Sequence, residues 1–254
     1  MAEVFMANLI QRLALRAFDI FGYVIIPKWR LANHAQVSYL KKLFGYYKID
    51  CVFDVGANEG QYAHFLRSQV GYKGLIVSFE PIPVCAELLR NFSTRDEMWL
   101  IEEVALGLED KSARFNVMAS TQFSSFLNPD SSHTQIFTQQ NRRTNEIVVQ
   151  VKTLNEYVPK ILRDYGCRSP YLKLDTQGYD LNVARGAGDF IRYFRAIQSE
   201  VSVVPIYNDM PSYIQSIDEF KKMGFDLSAV FPNNPDHFPR AIEFDFHMVN
   251  REFA

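Results

Sequence analysis

Residues 52–60 read Val52-Phe53-Asp54-Val55-Gly56-Ala57-Asn58-Glu59-Gly60. A short apolar run ends in an acid, and a loop follows with glycines four residues apart. An apolar run this short, bounded by glycine, is what a strand buried on both faces looks like. Gly56 lets the backbone turn sharply and lets a ligand approach it closely. Gly60 opens the next helix, whose first amides can serve an anionic group. The loop is G-x-N-x-G. It is neither the G-x-G-x-x-G of a dinucleotide fold nor a Walker loop, which needs Gly-Lys-Ser/Thr. A nicotinamide dehydrogenase is therefore disfavoured.

Outward from this loop, strands and helices alternate. Leu75 to Phe79 reads as the next strand and ends at Glu80, 26 residues after Asp54. An acid at the end of a second strand is placed to accept hydrogen bonds from a ribose diol. Gln61–Val70 and Val84–Phe92 read as helices, and Trp99–Ala105 as a third strand. Further strands are expected over Ile147–Val151, Tyr171–Asp175, Ala196–Val204, Phe225–Phe231 and Ile242–Val249. Helices are expected over Leu154–Tyr165, Tyr179–Ala187 and Pro211–Met223. Alternation on this scale means βαβ units and a mostly parallel sheet.

The remaining segments differ. Sixteen of the 28 residues from Ala119 to Glu146 are Ser, Thr, Asn or Gln. This polar insertion is expected to be exposed and mobile, as a lid or substrate loop would be. Residues 1–47 form an N-terminal helical segment, and the main domain covers 48–254. In residues 1–26, Met6, Ile10, Leu13, Ala17 and Phe21 face away from Asn8, Arg12, Arg16 and Asp19. This amphipathic helix suits packing on the main domain, a homodimer contact or a membrane surface. A second helix is expected from Ala32 to Tyr46, with Leu40, Leu43 and Phe44 toward the core. Internal charges rule out a spanning helix or secretory signal over residues 4–26.

The whole chain has 254 residues, 48% hydrophobic and 22% charged, with a formal charge of −2. That is the composition of a globular protein, with no global field to hold a nucleic-acid backbone. Cys51, Cys85 and Cys167 are far apart and form no CxxC pair, which argues against zinc and disulfides and for a reducing, cytoplasmic setting.

The ordered set of motifs resembles the FkbM-like family of class I S-adenosylmethionine-dependent methyltransferases. It runs through Phe53 to Gly60, Phe79-Glu80-Pro81, Asn91-Phe92, Val104 to Gly107, Ser124-Ser125, Thr153-Leu154, Leu172 to Asp175 with Gly178, and Gly186-Ala187. The likeness spans roughly residues 49–250. It implies a doubly wound, Rossmann-like seven-stranded α/β sheet with a reversed final hairpin. It implies S-adenosyl-L-methionine as cofactor, its methionine end held by Asp54, Gly56, Ala57, Asn58 and Gly60. Phe79, Glu80 and Pro81 would meet the ribose, and Ala105 and Leu106 would lie along the adenine. The family's substrates are mostly hydroxyls of sugars, glycolipids and polyketides.

Two positions depart from the family pattern. Gln177 stands where the family writes Glu, in Lys173-Leu174-Asp175-Thr176-Gln177-Gly178, and Asn155 stands where it writes Asp. Each removes a carboxylate, so no metal site is expected. The alternative to an enzyme is a cofactor-binding scaffold without turnover.

The expected acceptor is a small molecule or glycan with a free hydroxyl. Asp175 is the candidate base by location, with Glu200 as the neighbouring carboxylate. Two acids close together push one pKa upward, which suits a base. His133 in the insertion is a further candidate that could close over the substrate. Arg142 and Arg143 could meet an anionic group on it. Phe123, Phe126, Phe137 and Tyr207 could line a sugar or pack in the core.

Overall fold

A computed structural model describes residues 20–23, 25–233, 237 and 239–254. The amphipathic helix expected over residues 1–26 lies mostly outside the described residues. The chain divides into two compact units, residues 1–39 and 40–254. The described part of the first holds a short helix, Lys28–Leu31, and the start of the helix His34–Tyr47. Among the described residues, no helix is long and apolar enough to cross a membrane.

The second unit is built on a seven-stranded sheet. Its strands are β1 (Cys51–Val55), β2 (Leu75–Phe79), β3 (Trp99–Glu102), β7 (Pro170–Leu174), β8 (Ala196–Ser202), β9 (Phe225–Pro232) and β10 (Glu243–Asn250). The order across the sheet is β3-β2-β1-β7-β8-β10-β9. The first five run parallel, and β10 is antiparallel to both neighbours. The doubly wound α/β sheet and reversed final hairpin thus stand as expected. The chain leaves β1 toward β2 and β3, then returns to β7 on the other side of β1. That reversal opens a crevice at the carboxyl ends of β1 and β7, where ligands bind in open α/β sheets.

Strands β1, β2 and β7 are buried at every residue. Helices on both faces exclude water, which is why these strands read as continuous apolar runs. Their exceptions, Asp54, Ser78 and Lys173, lie side by side in register: Asp54 pairs with Ser78 on one flank and Lys173 on the other.

A second sheet was not legible in the sequence, although the strand expected over Ile147–Val151 lies within one of its members. It contains β4 (Ala105–Leu106), β5 (Lys111–Met118) and β6 (Arg143–Lys152), in the order β4-β6-β5. The expected strand Trp99–Ala105 therefore ends early, at Glu102. There the Val104 N–H bonds back to Glu102 O at 3.0 Å, a tight reversal that closes β3. Ala105 and Leu106 then pair with Val151 and Lys152.

The insertion is largely exposed, as expected, but it is fastened to the main domain, with Ser124, Ser125 and Asn141 buried. Its polar side chains and amides are used on backbone and loop groups of the main domain. Asn141 Nδ2 donates to Ile206 O at 2.9 Å, and Asp130 N–H donates to the same oxygen at 2.9 Å. Met118, Ile206 and Tyr207 form a small apolar cluster, joined by Phe123, Leu127, Phe137 and Met210.

Candidate active site

The loop after β1 is held by its backbone. Gly56 N–H and Ala57 N–H both donate to Phe79 O at 3.1 Å, so the end of β2 anchors the turn. Phe79 contributes its carbonyl here, while its ring is buried against Phe53 and Tyr157. Gly56 has φ +77°, and a Cβ there would collide with the Asp175 carbonyl oxygen. The glycine thus brings the loop against the end of β7. Gly60, at φ +87°, leaves no room for a Cβ against Leu89 and Trp99.

Asp54 lies beneath this loop, fully buried. It accepts from Ser78 Oγ at 3.1 Å and pairs with Lys173 Nζ at 3.2 Å. Lys173 Nζ also donates to Gly56 O at 3.2 Å, lies 3.4 Å from Asp175 Oδ2 and sits over the Tyr62 ring. Burial alone would lower the ammonium's pKa, but Asp54 and Asp175 outweigh it and raise it. Lys173 therefore stays charged and ties three strand-end groups together. Sequence reasoning missed it; its signal is a lysine inside a strand with no other polar residue.

Glu80 is buried at the end of β2. Its Oε2 accepts from Asn58 N–H and its Oε1 from Ile82 N–H, both at 2.8 Å. Burial raises its pKa to about 7, against the lowering effect of those amides. A carboxylate has about four lone-pair sites, so capacity is left for a diol. Asn58, at φ +47°, is fixed through Oδ1, which accepts from Thr121 Oγ1 at 2.8 Å and Cys85 Sγ at 3.4 Å. Its Nδ2 is then a buried donor without a partner. Pro81 is half-buried, while Ala105 and Leu106 turn their side chains into the apolar cores.

Across the crevice, the structure brings Asp175 and Glu200 together through Gln177. Gln177 Nε2 donates to Glu200 Oε2 at 2.7 Å and Asp175 Oδ1 at 3.1 Å. Its Oε1 lies 3.0 Å from the Tyr207 hydroxyl, which also lies 2.6 Å from Phe123 O, with one proton to give. Gln177 holds the left-handed φ of +53°, and Ser125 Oγ donates to its carbonyl at 2.9 Å. Asn233 Nδ2 donates to Glu200 Oε1 at 2.6 Å. Burial first, then Asp175, Glu243 and Asp245, push Glu200 well above the ordinary carboxylate range. Burial and Asp175 also push Glu243 up to about 7. Asp175 is the more open of the bridged pair, its side chain 33% exposed.

His133 does not join this group. Its imidazole is 55% exposed, and its charged neighbour is Asp130, at 3.7 Å. Asn155 is also elsewhere, its N–H donating to Gly186 O at the start of the helix Leu154–Tyr165. Among the described residues, no group of three or more His, Cys, Asp or Glu side chains is arranged to hold a metal ion.

The profile of the Methyltransferase FkbM domain matches residues 54–227, from the buried acid of β1 into β9. The chain belongs to this family. Its cofactor is S-adenosylmethionine. The crystal structure of Methyltransferase FkbM from Methylobacillus flagellatus is similar at 12% identity and TM-score 0.51. The match covers 79% of this chain and 43% of that one, so this chain spans less than half its length. Fibrillarin from Aeropyrum pernix, solved with natively bound S-adenosylmethionine, is 13% identical with a TM-score of 0.42. That match covers 85% of this chain and 74% of the fibrillarin. No curated protein matches in sequence.

This FkbM domain fits the cofactor. The Gly56 turn puts bare backbone, with no side chain, beside Asp175, Glu80 has acceptor capacity for hydroxyls, and Asn58 Nδ2 is an unpaired buried donor.

Proposed function

We propose that the protein is an O-methyltransferase acting on a hydroxyl of a sugar, glycolipid or other secondary metabolite, with the Asp175–Glu200 pair as its base. The observation that carries this reading is the Gln177 amide bridging two carboxylates next to the glycine loop. Asp54, Gly56, Ala57, Asn58 and Gly60 would hold the methionine end of S-adenosylmethionine. Phe79, through its carbonyl, would fix the loop, and Glu80 and Pro81 would meet the ribose. Bound there, the cofactor supplies a methyl group on a sulfonium.

An alkyl hydroxyl is a weak nucleophile, so a positioned base assists it. Asp175 faces the Lys173 ammonium and the Gln177 amide and is open enough to accept the acceptor's proton. Glu200 is buried, bridged and raised in pKa, so it holds a proton readily. Lys173 keeps the glycine loop and the base at fixed spacing, through Gly56 O on one side and Asp175 on the other. Fixed spacing is the larger part of what a transfer of this kind requires of a protein.

The test is release of S-adenosylhomocysteine on a panel of hydroxyl-bearing sugars and glycolipids, for the native chain, Asp175→Asn and Glu200→Gln. The native chain turns over. Asp175→Asn loses on the order of 10²- to 10⁴-fold, the span of general-base effects, with cofactor affinity retained. Cofactor binding with no transfer to any acceptor would favour the scaffold reading. Undiminished transfer in Asp175→Asn would remove the base.

A further inference from the structure

The connection between β5 and β6 encloses a cleft of about 280 Å³, lined by Asp130, Thr134, Phe137, Thr138, Arg142 and Ile206 among others. Its volume lies at the small end of small-molecule sites. The cleft is built into the fold rather than left by a loose loop. Asp130 N–H and Asn141 Nδ2 both donate to Ile206 O, and Asn208 N–H donates to Asn128 O at 2.9 Å. These bonds tie both ends of the connection to residues 206–208. Ile206 forms part of the cleft wall, and the next residue, Tyr207, reaches Gln177 at 3.0 Å. Neighbouring Cα atoms are about 3.8 Å apart, so the cleft wall at Ile206 and the tyrosine that contacts Gln177 are consecutive residues of one turn.

The lining has a definite chemistry. Phe137 offers an apolar wall; the Thr138 hydroxyl donates to Gln135 O at 3.0 Å and Thr134 Oγ1 accepts from Ile136 N–H at 3.3 Å, which leaves both oxygens with acceptor capacity. Of the charged groups, Asp130 is occupied by its own loop: Oδ1 accepts from Ser132 N–H at 2.8 Å, and His133 flanks Oδ2. Arg143 is engaged as well, donating to Asn116 Oδ1 at 3.1 Å and lying 3.9 Å from Glu146. Arg142 makes no ion pair among the described residues. One guanidinium is therefore left to a ligand, and its planar fork suits a carboxylate or phosphate.

The geometry points to this cleft as the subsite for the unmethylated part of the acceptor, and to an acceptor that is a sugar bearing an anionic group. The inference rests on the methyltransferase reading above. It goes further by giving the acceptor a charge and naming Arg142 as the residue that selects it.

The full chain, saturated with S-adenosylhomocysteine, is titrated with glucose 6-phosphate, glucuronate and glucose, with binding followed by calorimetry and ligand-observed NMR. At least one anionic sugar binds about tenfold or more tighter than glucose, the worth of one charge-assisted hydrogen bond. Which one binds separates a phosphate from a carboxylate. Arg142→Gln loses that preference, while Arg143→Gln retains it. Both variants keep native affinity for S-adenosylhomocysteine, which shows that they fold. Equal binding of glucose, an unchanged Arg142→Gln, or no sugar binding beside normal S-adenosylhomocysteine binding each overturns the inference. Failure to bind S-adenosylhomocysteine would instead sink the reading beneath it.

Discussion

Replacing Lys173 with Met tests the frame of the site. The Lys173 ammonium lies 3.2 Å from Asp54 Oδ1 and 3.4 Å from Asp175 Oδ2, with side-chain exposures of 6% for Lys173 and 0% for Asp54. Methionine fills much the same length without charge. It leaves the Asp54 carboxylate in the core with the Ser78 hydroxyl as its one described donor. Removing one partner of a buried ion pair costs about 3–5 kcal/mol, against a total stability of about 5–15 kcal/mol for a domain. The deficit is relieved by proton uptake at the stranded carboxylate, which is easier at low pH. Its size should therefore shrink as pH falls, by up to about 1.4 kcal/mol per pH unit. The double variant Asp54→Asn/Lys173→Met removes both charges and should recover most of the loss. It should not recover turnover, because Asp175 has still lost its cation. Urea unfolding of all three variants at pH 8 and 5.5 measures this. A Lys173→Met deficit below about 1 kcal/mol, or a double variant no better than the single, would refute the claim that the pair is buried and coupled.

Other expectations follow from the same geometry. Gly56→Ala should keep its fold but bind S-adenosylhomocysteine at least tenfold more weakly. The left-handed φ of +77° costs alanine about 1–2 kcal/mol and its Cβ pushes the loop off the Asp175 carbonyl; unchanged binding would count against this close approach. Glu80, raised to about 7, is half-protonated near neutrality, and ribose hydroxyls favour its charged form. Binding should therefore release protons and tighten as pH rises from 6 to 8. A flat native profile, or a Glu80→Gln variant that retains the slope, would contradict the ribose assignment. In Gln177→Glu, an oxygen replaces an amide that donates to two carboxylates at 2.7 and 3.1 Å. At an effective dielectric of about 20 a contact of this length between two charged carboxylates repels by roughly 5–6 kcal/mol, so the new carboxyl should keep its proton at neutral pH. Its rate profile should fall on the alkaline side, and a profile that matches the native one would show that the bridge does not matter.

The sheet was legible because its strands are short apolar runs closed by glycine or acid. Burial on both faces imposes that pattern locally. The helix Leu154–Tyr165 was legible to the residue. What escaped depends on distant partners. Strand β5 carries Lys111, Ser112, Arg114 and Asn116, and its partner β6 is separated from it by 24 residues, too many for a turn signal. The insertion reads as an exposed, mobile loop because polar residues bury little apolar area. Yet Ser125, Thr121 and Asn141 are spent on Gln177 O, Asn58 Oδ1 and Ile206 O. Asp175 and Glu200 were read from their strand positions. That Gln177 joins them, rather than merely deleting an acid, follows from a left-handed backbone that a one-dimensional reading does not display.

The β5–β6 connection is fastened at Asn58, Gln177 and Ile206–Asn208, three places widely separated in the chain. Exchange of this segment between relatives is thus a transplant with several sutures. A donor loop carrying a new acceptor preference must bring a hydroxyl for Asn58, another for the Gln177 carbonyl, and a matching 206–208 turn. A lineage that changes its acceptor has to change these distant stretches in concert, and their covariation would be the trace it leaves.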